Sequence, residues 1–232
     1  MAPQSGSINQ SHASSRADAA VIRRTIARRR SVRTGYNGEP VDRSVIDALV
    51  DAALAAPSSK NAQPWRLHVV EDRPLLAAIA DAADRSPEVE CYVPVDAAVG
   101  QPNRDWRSTV NESSQVLRDA SLAIFVENRC EFSSGRKAIF QASAEIRSAA
   151  LIGYSLELLG IGAAIQNMWL VATAYGMQAV FMGDLLIVED LISAELGFDG
   201  ELIGIFVAGF GFGSAYRLER FYESDRVVRH NR

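Results

Sequence analysis

The stretch AAIQNMWLVATA, residues 163–174, constrains this chain more than any other feature. Its spacing is helical, but its apolar residues run nearly all the way round, so no face is left for water. Such a helix must be buried deeply, and the rest of the chain has to supply what covers it. At 232 residues, with 48% hydrophobic and 22% charged residues, the chain is long enough to build that cover as one large domain.

The remaining elements fit this requirement. Residues 1–17 are small, polar and aperiodic, which predicts a flexible arm, and a single domain follows over 18–232. Val21, Ile22 and Ile26 repeat at helical spacing, and a second stripe, Val45, Ile46, Leu49, Val50 and Leu54, follows the N-cap candidate Asp42. RLHVVE reads as a strand, and Pro74 behind Asp72 opens a helix to about Asp84. Residues 85–120 look irregular, and the range 85–137 is expected to include a lid. ASLAIFVE, 120–127, is a second buried strand. Two long helices are predicted at about 138–159 and 162–175, joined at Gly160 and Gly162, followed by a strand at 178–182, a helix ending near Gly197 and a last strand, ELIGIFVAGF. Few strands per helix predict an α+β sandwich, with helices on both faces of one small sheet.

Composition excludes several chemistries. A net charge of −4 does not suit a nucleic-acid binder. Two cysteines without a CxxC spacing and three histidines give no zinc site and no disulfide framework. No uninterrupted apolar run reaches 18 residues and the N-terminus lacks signal-peptide character, so the expected location is cytoplasmic. A strand-linked GxGxxG, a Walker A loop and a GxSxG elbow are all missing; GFGFGS, 209–214, follows a strand but opens no amphipathic helix. His68 lies inside a strand pattern and reads as a packed core histidine.

Two polar constellations remain. RRRSVR, Arg28–Arg33, offers guanidinium forks and a hydroxyl suited to phosphate, although cations also favour a helix C-terminus. With 22 arginines among 24 basic residues, a cluster needs a second argument. PSSKNAQPW, on the far side of one amphipathic helix, provides it, because two such groups flanking one helix are hard to explain as plain surface.

In combination, RRSVR at 29–33, APSSKNAQPWRLHVV at 56–70, AAIQNMWLVATAYGM at 163–177, VFMGD at 180–184 and a closing strand with a basic tail resemble the nitroreductase-like FMN-dependent oxidoreductases. The resemblance implies a small, mostly antiparallel sheet flanked by helices and an intertwined homodimer with an FMN in each cleft between subunits. It implies that Arg29, Arg30 and Ser31 contact the phosphate and ribityl chain, and that Arg33 lies near flavin N1 and O2, where a cation eases acceptance of a hydride. Pro57, Ser58, Ser59 and Asn61 would serve the partner's flavin, while Gln63 and Trp65 hold the turn and core. Met182 and Gly183 match the turn whose backbone N–H faces flavin N5, with the register open by one residue. In the tail, Arg220 rather than Arg217 is the implied phosphate contact. The implied activity is ping-pong transfer from NADPH or NADH to nitroaromatic or quinone acceptors. A flavin-cleaving or reductive branch and a non-catalytic flavin-sequestering protein stay open. Tyr92, Trp106 and Phe132 are substrate candidates, for each of which plain packing is an equal alternative.

Overall fold

The computed structural model describes residues 6–89, 95–96, 98–102 and 107–213. In chain order the elements are α1 (Gly6–Arg28), α2 (Arg43–Leu54), β1 (Trp65–Val70), α3 (Arg73–Asp84), β2 (Val95–Asp96), β3 (Gln101–Pro102), α4 (Val110–Asp119), β4 (Ala123–Asn128), α5 (Gly135–Gln141), α6 (Ala144–Ala174), β5 (Gln178–Met182), α7 (Glu189–Leu196) and β6 (Glu201–Gly209). Short 3-10 turns occupy Ser59–Asn61 and Asp184–Val188.

The main sheet has the order β1-β4-β6-β5 and every pairing is antiparallel. Strand β4 is buried along its whole length, because alternate side chains enter two different cores. Ala123 and Phe125 face a layer built from α3, α4, α7 and the 184–188 turn, while Ile124 and Val126 face α2 and α6. The architecture is therefore the expected α+β sandwich.

Local signals placed several elements well. Asp72 caps α3 by accepting the Leu75 N–H at 3.1 Å, and Gly197 takes the left-handed conformation that ends α7. Asp42 precedes α2 as expected, but its side chain makes no capping bond. His68 is packed as predicted, stacked on Phe198 and bonded through Nε2 to the buried Glu127 at 2.8 Å.

Other expectations are corrected. The helix does not break at Gly160 or Gly162: α6 runs unbroken through both, and the interruption falls at Ala142 and Ser143. A Cβ on Gly160 would sit 3.2 Å from Ser58 Cβ and 3.5 Å from Trp65 Cζ3, so this glycine lets a loop press against the helix. By length and composition α6 could cross a membrane; against the expectation of burial all round, only one face, with Ile161, Ala164, Met168 and Ala172, is buried in the second core, while Gln166 and Ala174 are exposed. The segment 85–120, expected to be irregular, contains α4, whose Val110, Val116 and Leu117 are core residues. Helix α1 begins at Gly6, so the boundary at 17 does not mark the start of regular structure.

Candidate active site

Beyond α1 the basic segment continues as extended chain along the edge strand β5. The Val32 N–H donates to the Ala179 carbonyl at 3.0 Å, which turns Val32 inward and leaves Ser31 and Arg33 half-buried on the other side. Tyr36 anchors the segment through its hydroxyl, which donates to the Val32 carbonyl at 2.9 Å. Burial keeps that phenol protonated against the opposing pull of Arg33. The arginines then divide. Arg30 turns back to donate to the carbonyls of Ala27 and Arg29 at 2.7 and 2.8 Å, as a cation at a helix end does. Arg29 lies over the Trp169 ring of α6, 4.7 Å from its centroid, and the Trp169 Nε1–H reaches the Arg30 carbonyl at 3.2 Å. Arg33 faces Glu112 of α4 at 4.0 Å.

At the end of β5, Met182 is buried opposite Ile205, and Gly183 is the first residue to leave the strand. Gly183 has an ordinary backbone conformation, φ −112° and ψ −10°. Among the described residues no atom lies within 4 Å of the position a Cβ would take there. Asp184 next to it accepts two hydroxyl bonds on Oδ2, from Thr109 Oγ at 2.6 Å and from Ser113 Oγ at 2.8 Å. Helix α4 thus touches both halves of this edge, through Glu112 to Arg33 and through Thr109 and Ser113 to Asp184. Residues 33 and 183, far apart in sequence, are thus tied to the same helix along one edge of the sheet, Arg33 from the Ala179 end of β5 and Gly183 from its far end.

The loop Pro57–Asn61 lies elsewhere. It precedes β1, at the opposite edge, and packs on α6 at Gly160. Its fold is tight, with Lys60, Asn61 and Gln63 at φ 52°, 55° and 46°. Ser58 Oγ accepts the Gln63 N–H at 2.9 Å, and Ser58 and Ser59 carbonyls accept from Asn61 and Ala62. Trp65 is buried beneath it, as expected. Three strand spacings separate this edge from β5, roughly 14 Å. Along α6, the nine residues from Gly160 to Trp169 amount to about 13.5 Å. One chain therefore does not bring Ser58, Ser59 and Asn61 to Arg29, Arg33 and Gly183.

Phe132 sits at the same end of the sheet as the Ser58 loop, packed against Gly153 of α6 and partly exposed. Its loop is held by Glu157, a fully buried carboxylate on α6. Glu157 accepts the N–H groups of Phe132 and Ser133 at 2.6 and 3.0 Å, the Ser133 hydroxyl at 2.6 Å and the Asn128 amide at 3.0 Å. Nearby, a cavity of about 220 Å³ is lined by Cys130, Arg136, Glu189, Asp199 and Glu201. Its guanidinium is already engaged by Glu189 at 2.6 Å and Glu201 at 2.8 Å, a structural arrangement. Tyr92, Trp106 and Arg220, with Arg217, lie outside the described residues.

Sequence reasoning missed Trp169, Glu112, Thr109 and Ser113. The spacing Val110, Ser114, Leu117 would have revealed α4, but its small serines do not register as a hydrophobic stripe.

Comparison with known proteins bears on the family and the fold. The nitroreductase family model matches residues 26–210. A protein named NADH dehydrogenase from Thermus thermophilus is 41% identical over 145 residues, 57% of this chain and 64% of that protein. A 4-nitrobenzoate reductase from Pseudomonas putida is 35% identical over 77 residues, 32% of this chain and 34% of that protein. The matched segments thus span less than two thirds of either relative's length. Among solved structures, a BluB-like flavoprotein from Clostridium difficile 630 superposes with a TM-score of 0.69 at 23% identity, covering 90% of this chain and 99% of that one. A nitroreductase with bound FMN from Desulfitobacterium hafniense DCB-2 gives 0.63 at 18% identity, covering 91% and 98%. The family model spans both the basic segment and the Gly183 turn, and the fold that unites them is shared with these flavoproteins: the chain belongs to the nitroreductase family.

Proposed function

We propose that the protein is an FMN-dependent oxidoreductase that takes electrons from NADH or NADPH and passes them to a nitroaromatic or quinone acceptor. It works as a cytoplasmic homodimer with an FMN at each subunit boundary. The observation that carries this reading is the division of the two polar constellations between opposite edges of the sheet, each an incomplete site by itself. A second copy supplies the missing half. Exposed apolar residues along the N-terminal half of α6, with Ile152 at 67% and Leu159 at 71%, give such a copy a surface to cover.

The residues present fit the cofactor. The Arg29 and Arg33 guanidiniums and the Ser31 hydroxyl provide charge-assisted donors for a phosphate and a ribityl chain, and Gly183 leaves room, among the described residues, for a flat ring to approach. Arg30, bonded at the helix end, contributes by holding the segment in place. Bound there, FMN would supply two-electron transfer between donor and acceptor, with solvent supplying protons. Arg33 places positive charge where the ring gains negative charge, with Glu112 tempering it. The Gly183 turn would lie at the redox nitrogen of such a ring, and Ser58, Ser59 and Asn61 would close the cleft from the other subunit. One cleft serves donor and acceptor in turn, which is ping-pong kinetics.

The test is direct. The purified protein should carry stoichiometric yellow flavin released as FMN, and should oxidise NADH or NADPH in the presence of a nitroaromatic or a quinone. Double-reciprocal plots at several acceptor concentrations should be parallel. Bound flavin without turnover would replace this reading with a sequestering role, and a colourless protein that takes up no FMN would refute it.

A further inference from the structure

We propose that Asp184 is a positioning residue, which fixes the Gly183 turn to α4 and thereby sets how fast the bound flavin accepts a hydride; this rests on the FMN reading above. A turn that begins with glycine has a wide choice of backbone conformations, so something must hold it if its N–H is to meet one atom. The backbone bond inside the turn, from Leu186 N–H to the Gly183 carbonyl, is long at 3.4 Å. The side-chain clasp is short: one Asp184 oxygen takes the hydroxyls of Thr109 and Ser113 at 2.6 and 2.8 Å, the range of strong bonds to a carboxylate.

The other end of the clasp is rigid. Val110, Ser113, Ser114 and Leu117 of α4 are buried, and Leu185, which follows Asp184, is fully buried. The same first turns of α4 carry Glu112 beside Arg33. One packed helix therefore fixes both the cation expected near the ring and the turn expected at its redox nitrogen. The second Asp184 oxygen is buried and has no hydrogen-bond partner among the described residues. An asparagine could therefore present its carbonyl to both hydroxyls and keep the clasp, while alanine cannot.

Three variants test this: Asp184→Ala, Asp184→Asn and the pair Thr109→Val with Ser113→Ala, which breaks the clasp from the helix side. Amide hydrogen exchange of the peptide spanning Gly183 to Leu186, measured on FMN-free protein, should quicken at least tenfold in Asp184→Ala and in the Thr109/Ser113 pair. In the FMN-loaded protein, the limiting rate of flavin reduction by NADH should fall at least tenfold in both, with the donor KM changed less than threefold. Asp184→Asn should recover both readouts to within threefold of wild type. Unchanged exchange in Asp184→Ala would overturn the clasp. Quickened exchange with an unchanged reduction rate would overturn the positioning role. Loss of the far-UV spectrum in Asp184→Ala would pass the decision to the Thr109/Ser113 pair, where the same two criteria apply. A wild-type chain that takes up no FMN would overturn the cofactor reading and the positioning role with it, while the exchange data would still read the clasp.

Discussion

Replacing Glu157 with alanine should be among the most damaging single changes available in α6. The carboxylate is fully buried and takes four hydrogen bonds, two of them from the backbone N–H groups of Phe132 and Ser133. Those two N–H groups are fixed by the chain and cannot turn elsewhere, whereas the Ser133 hydroxyl and the Asn128 amide can. Each orphaned donor costs about 1–3 kcal/mol, so two cost about 2–6 kcal/mol. For a chain of this size about 1 kcal/mol moves the melting temperature by about 2–4 °C, so Glu157→Ala should melt some 5–20 °C below wild type. Glu157→Gln keeps one oxygen for the two N–H groups but sets an NH2 against the Asn128 amide, whose own oxygen is held by the Cys130 N–H. It should cost about 1–3 kcal/mol, less than the alanine change. The assay is urea or thermal unfolding followed by circular dichroism, at one protein concentration and without added FMN, because self-association or a bound cofactor would shift the midpoint. A Glu157→Ala variant within 1 kcal/mol of wild type, or a glutamine variant as damaged as the alanine one, would refute this account of the carboxylate.

Four further outcomes follow from the structure. Gly160→Val should push Ser58 and Trp65 away from α6 at a cost of about 1–3 kcal/mol and weaken FMN retention, which dialysis would show; a variant that keeps its flavin and stability would contradict the close approach. The Cys130 thiol is pushed up to about 11 by burial and by Glu201 and Glu157, so in a Cys91→Ser background its alkylation should stay slow through pH 7–9 and accelerate only as the pH approaches that value. Arg33→Gln removes the cation facing Glu112 and should lower the flavin's two-electron potential by about 20–65 mV, the equivalent of about 1–3 kcal/mol, as dye-linked reductive titration would report. Dilution of the protein to monomer should release FMN in step, since the two equilibria are linked; a fully loaded monomer in sedimentation at the flavin wavelength would exclude the shared site.

The sequence by itself determined whatever is decided within a few residues. Alternation and β-branched content placed β1, β4, β5 and β6, and the pairing of Asp72 with Pro74 and the position of Gly197 marked helix ends through the geometry of single turns. The apolar stretch 163–174 was legible as a helix, but the expected burial all round was not met within the chain: Ala164, Ile165, Met168 and Ala172 are buried while Gln166 and Ala174 are exposed, because one sheet covers one face. The linear motifs that carry the family resemblance were legible for the same reason, each being a short run read in order.

Tertiary structure decided the rest. A glycine costs a helix about 1 kcal/mol, which made Gly160 and Gly162 look like a break, but packing of α6 against the sheet outweighs that local cost, and the Ser58 loop needs the missing side chain. Helix α4 escaped notice because much of its buried face is serine, and its burial depends on elements distant in sequence. For the site, the three arginines are indistinguishable along the chain; only the fold turns Arg30 to the end of α1, lays Arg29 on Trp169 and points Arg33 at Glu112. The attachment of both Arg33 and the Gly183 turn to α4, the clasp at Asp184 and the distance to Ser58 all arise from the order in which strands and helices pack, which no local pattern encodes, because tertiary packing makes neighbours of residues whatever their separation in the chain.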